Sequence, residues 1–104
     1  MLFLPYCTAD MHIGDNVVTY GSGNQAVEIH HNGINNANFA LNWSYANFPR
    51  PDRVFITGSS AGSVGAIFHS MSIPSAYPDI PVTVLTDSGG GWRGAAGKLT
   101  TMFT

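Results

Sequence analysis

The stretch Val54-Phe55-Ile56-Thr57-Gly58-Ser59-Ser60-Ala61-Gly62 decides the fold. Residues 54–57 form a short unalternating apolar run bounded by Pro51 and Gly58, the pattern of a strand buried on both faces of a parallel sheet. Residues 62–73 then predict a helix ended by Pro74. Its apolar side chains Val64, Ile67, Phe68 and Met71 fall on one stripe, while Gly62, Ser63, Gly65 and Ala66 are small enough to let its first turns approach the sheet closely.

A strand, a Gly/Ser turn and a helix in that order are the setting in which Gly-x-Ser-x-Gly presents a nucleophile. The pentapeptide alone is weak, because at ordinary Gly and Ser usage it arises by chance in about 3% of chains this long. The flanking elements carry the weight against a loop that merely turns the chain. Gly58 and Gly62 relieve the crowding of a tight turn, and Ser60, rather than Ser59, takes the position whose Oγ is lifted clear of the sheet. The turn aims the backbone N–H of Ala61 at the oxyanion formed when an ester carbonyl is attacked, and the helix N-terminus adds positive potential.

Working outward, residues 82–87 predict a last strand opening into Ser88-Gly89-Gly90-Gly91. Upstream, Ile34, Ala37, Leu41, Tyr45 and Phe48 recur at three- and four-residue steps, so residues 33–48 predict a helix, closed by Pro49 and Pro51. Phe39, Trp43 and Ala46 lie on its other side, where two large aromatics call for a covering element. Residues 17–20 and 26–30 flank Gly21-Ser22-Gly23-Asn24 as a hairpin, and the apolar run 2–7, broken by Pro5, predicts a strand before it. Strands alternating with helices give an α/β fold with right-handed crossovers.

A serine needs a base, and in this kind of fold the acid and histidine follow the nucleophile in the chain. Of the four histidines only His69 follows Ser60, and nine residues of helix at about 1.5 Å each put its backbone about 13 Å along the axis, too far to serve. Asp87, ending a strand at the carboxyl edge, is a candidate acid or pocket residue, although a turn cap before Gly89 is the commoner role. His12, His30 and His31 precede the elbow. The last two are consecutive in a strand end and point to opposite faces, against a shared metal and in favour of structural or pocket-lining roles. No cofactor or metal is implied. The stretch from Gly91 to Lys98 superficially suggests a P-loop but has Trp92 where glycine is needed and Leu99 after the lysine.

Composition narrows the classes further. Four Lys plus Arg against six Asp plus Glu give a net charge of −2, without the basic stripe that nucleic-acid binding requires. No apolar stretch is long enough to span a membrane, and no secretory leader is visible. With 44% hydrophobic and 10% charged residues in 104, the chain reads as one domain at most and as the middle of something larger. Cys7 has no partner cysteine in the chain, so a buried thiol is the default, half of a bridge the alternative.

Leu4-Pro5-Tyr6-Cys7-Thr8-Ala9-Asp10, His30-His31-Asn32-Gly33, Gly58-Ser59-Ser60-Ala61-Gly62 and Thr86-Asp87-Ser88-Gly89 together resemble, in order, the pectin acetylesterase and Notum family, over most of the chain. The resemblance implies residues 1–104 as a central fragment of one α/β-hydrolase catalytic domain, three-layered with a mainly parallel sheet and truncated at both ends. It implies a serine carboxylic-ester hydrolase that deacetylates a carbohydrate such as pectin. Ser60 would be the nucleophile, Ala61 an oxyanion-hole amide and Asp10 a pocket residue. It also implies secretion or a periplasmic location, and makes Cys7 half of a disulfide. The family's Gly-Gly-Trp oxyanion loop, which lies upstream of the nucleophile, and its catalytic Asp and His, well downstream of it, have no counterpart here, so this stretch alone is expected to be inactive. A non-catalytic binding protein on a hydrolase scaffold is the alternative.

Overall fold

The computed structural model describes residues 1–90, which form a mixed α/β structure. Strands β1 (Asn16–Tyr20) and β2 (Val27–His31) pair antiparallel, Asn16 opposite His31, around a short 3₁₀ turn at Gly23–Gln25. Helix α1 (Gly33–Asn47) follows directly, and the chain passes through Pro49 and Pro51 into β3 (Val54–Ser59). Helices α2 (Ala61–Ser70) and α3 (Ile73–Ala76) then lead to β4 (Val82–Asp87). β3 and β4 pair in parallel with Val54 opposite Val82 and Ser59 opposite Asp87.

The hairpin, α1 and β4 stand where their sequence patterns put them, and four expectations are corrected. Residues 1–7 form no strand, because Pro5 interrupts a run that finds no neighbour to pair with. The described residues form two separate two-stranded sheets, not one mainly parallel sheet, so β2–α1–β3 is not a crossover within a sheet. β3 is half-buried on one face and open on the other: Phe55 and Leu85 share the face away from α2 and are 58% and 57% exposed. Pro74 does not end α2 but lies within the first turn of α3, where its missing N–H costs nothing.

α2 is also rotated relative to expectation. Its buried residues are Ser63, Gly65, Ala66 and His69, while Ile67, Phe68 and Met71 of the apolar stripe are exposed. The cause is close approach: a Cβ at Gly65 would lie 2.9 Å from the Met11 carbonyl oxygen and 3.0 Å from the His12 Cβ. Only small side chains fit a helix held that near another backbone.

The apolar core consists of Met11, Ala37, Ala66, Ile73 and Tyr77. A radius of gyration of 15.6 Å, against about 13 Å for a compact domain of 100 residues, matches the large apolar area left open, Phe39 and Trp43 included. Polar links tie the parts together. The Tyr77 hydroxyl donates to the Phe48 carbonyl at 2.9 Å, and the Tyr45 and Tyr77 rings meet edge-on at 5.3 Å, which fixes the C-terminal end of α1 to α3. No helix among the described residues is long and apolar enough to cross a membrane.

Candidate active site

The chain turns from β3 into α2 at Ser60, whose backbone stands at φ 55°, ψ −121°. A non-glycine residue there costs on the order of 1–3 kcal/mol and persists only where its surroundings dictate it. Three contacts dictate it here. Gly58 lies so close to the Gly62 carbonyl that any Cβ would collide with it. The Ser60 N–H donates to the Asp87 carbonyl at 2.9 Å, continuing the parallel ladder one step past β3. The Ser63 N–H donates to the Ser60 carbonyl at 3.0 Å, opening α2.

This geometry puts an exposed Ser60 side chain at the carboxyl edge of both parallel strands and at the N-terminus of a ten-residue helix. Ala61 is the first residue of α2, so helix geometry leaves its N–H without an intrahelical acceptor, in the field of the helix dipole. Ser59 is the last residue of β3 and has ordinary extended geometry. Gly58→Ala is expected to lose about 1–3 kcal/mol from overpacking against the Gly62 backbone, read as a lowered urea midpoint.

Asp87 is exposed, and its carboxylate accepts a 3.0 Å hydrogen bond from the Ser88 hydroxyl while its carbonyl holds Ser60. Ser88 itself is left-handed at φ 58°. Asp10 is enclosed, with no exposed surface. Its Oδ1 accepts the Thr8 hydroxyl at 2.6 Å and the His12 N–H at 3.1 Å, and its Oδ2 accepts the Gly33 N–H at 2.6 Å. No side chain of its own caps α1, so Asp10, 23 residues away, supplies the negative charge and the acceptor at that helix start. Asp10 is thus committed to structure, not presented to a pocket.

The histidines divide in the same way. His30 is exposed beside Glu28, whereas His31 is buried, its Nδ1–H donating to the Thr8 carbonyl and its Nε2 accepting from the Tyr20 hydroxyl. His69 is buried with Nε2–H on the His12 carbonyl at 2.8 Å, which ties α2 to the 10–14 loop and removes it from any role as base. Sequence reasoning had no signal for that tie, whose partners are 57 residues apart. Ala9, Met11 and His12 all have positive φ, held by the Asp10 bonds and by the Met11 N–H on the Tyr6 hydroxyl.

Burial lowers the pKa of His12, Asp10 opposes the shift, and His69 adds to it. An unfolded chain therefore binds more protons than the native one just below pH 6.5, and this part of the stability, present above that value, declines as pH falls through the lower native pKa. His12→Gln is expected to flatten the slope of melting temperature against pH below about 6.5.

Cys7 is exposed with a free thiol, which corrects the buried default; it lies in an open cleft with Phe3, His12 and Phe39 that includes none of the elbow. Among the described residues no cluster of three or more His, Cys, Asp or Glu side chains is placed to hold a metal. The stretch from Gly91 to Lys98 lies outside the described residues. Compared with known proteins, the chain matches no family model, no curated protein and no solved structure.

Proposed function

We propose that the chain carries the nucleophile of a serine carboxylic-ester hydrolase on a partial α/β-hydrolase fold. The observation that carries the reading is the left-handed Ser60 between a parallel strand and a helix N-terminus. In this reading Ser60 Oγ attacks the acyl carbon, the oxyanion accepts the Ala61 N–H, and the ester C–O bond breaks as the base passes its proton to the departing alcohol. Water then cleaves the acyl-enzyme, releasing the acid and restoring the serine. His30, His31 and His69 are each engaged elsewhere and the His12 ring packs beside Tyr6 in the 10–14 loop, so the proposal takes the base from sequence beyond the described residues, as the family resemblance implies.

The resemblance, which rests on motifs and not on a matched relative, makes the substrate an acetylated carbohydrate such as pectin, met outside the cytoplasm. The test is acetate release from acetylated pectin by the full polypeptide that contains these residues. Release that disappears in Ser60→Ala is the expected result. A full polypeptide that binds pectin but releases no acetate would favour a non-catalytic scaffold.

A further inference from the structure

We infer that Gly89 and Ser63 form a lock-and-notch pair that holds Ser60 in its reactive backbone conformation, so that Gly89 is a positioning residue for the nucleophile. The functional half of this inference rests on the esterase reading; the structural half does not. Gly89 has no positive φ, so nothing in its backbone conformation calls for glycine. What calls for it is space. A Cβ at Gly89 would collide with Ser63 Oγ and come within 3.0 Å of Ser63 Cβ. Ser63 is only 2% exposed, so its side chain has little room to swing aside.

Ser63 stands in the first turn of α2, and its N–H donates to the Ser60 carbonyl at 3.0 Å. Ser60 in turn donates to the carbonyl of Asp87, two residues before Gly89. The elbow is therefore gripped at both ends by one short segment. The carbonyl of Asp87 holds the Ser60 N–H, and the notch at Gly89 receives the side chain whose backbone holds the Ser60 carbonyl. Between them Ser88 makes the left-handed turn at φ 58° that brings Gly89 over α2, fastened by its hydroxyl on Asp87. Filling the notch pushes Ser63 away from β4, and the displacement passes to Ser60 through one hydrogen bond.

The test compares wild type, Gly89→Ala, Ser63→Gly and the double variant in the full polypeptide, with thermal melting as the check on folding. Amide-resolved hydrogen exchange reads the Ser60 N–H, and the rate of covalent labelling by a fluorophosphonate reads its hydroxyl. In Gly89→Ala the Ser60 amide is expected to exchange about tenfold faster. Labelling is expected to slow by a similar factor, with KM for a small ester unchanged. Adding Ser63→Gly removes the side chain that the new Cβ strikes, and is expected to restore both rates to within about threefold of wild type.

Unchanged Ser60 exchange in a folded Gly89→Ala protein, or a double variant no better than the single, would overturn the inference. Should Gly89→Ala fail to fold, a double variant that folds with wild-type exchange supports the pair, and one that also fails to fold overturns it. If the wild type takes no label while the exchange pattern holds, the esterase reading fails and the pairing stands.

Discussion

Ser60→Ala is expected to lower kcat for ester hydrolysis by the full polypeptide by about 10⁶-fold, the effect of deleting a serine nucleophile whose base and oxyanion donors remain. KM should change little, because the hydroxyl contributes to the transition state far more than to ground-state binding. The magnitude separates two accounts of Ser60. A serine that only shapes the turn would, on replacement, trade one strained residue for another at φ 55°, with activity falling by a modest factor that follows stability. A nucleophile would be lost outright while the melting temperature stayed within a few degrees, since the Ser60 side chain is exposed and the bonds that hold it use its backbone.

The second large effect concerns stability. Asp10→Ala is expected to cost about 3–5 kcal/mol, read as the urea unfolding midpoint, because it orphans two backbone N–H groups and a hydroxyl in an enclosed site. A domain of this length has about 5–15 kcal/mol in all, so the loss is a large share. Asp10→Asn keeps one acceptor and turns the other into a donor facing donors, and is expected to lose about half as much. Gly33→Ala strikes the same carboxylate, so the two substitutions should be strongly non-additive, the cost of Gly33→Ala shrinking once Asp10 is alanine. Additive costs would mean that Asp10 does not cap α1.

Much of the local structure was legible because it is written in neighbouring residues. Pro49 and Pro51 closed α1, the Gly21 to Asn24 turn joined two β-rich segments, and the apolar run before Asp87 set β4. The turn at Ser60 was legible because a strand, Gly58 and a helix start fall within a few residues; the expectation for Gly62 is corrected, since a Cβ there would meet nothing within 4 Å and crowding calls for Gly58 alone. The errors lie where distant segments decide. Hydrophobic periodicity turned α2 the wrong way, because besides β3 and β4 the helix packs against the Met11–His12 segment, and that close contact admits only Gly65 and its small neighbours. Asp10 carried no local sign that its partner would be Gly33. Likewise Gly89 reads as one of several loop glycines until Ser63 is found filling the space beside it.

The most direct measurement is mass spectrometry of the full polypeptide after exposure to a fluorophosphonate, with the adduct located by peptide sequencing. The account predicts a single adduct on Ser60, absent in Ser60→Ala and blocked by prior heat unfolding. An intact, folded protein that hydrolyses esters while Ser60 stays unmodified, or that labels equally at Ser59, would contradict it.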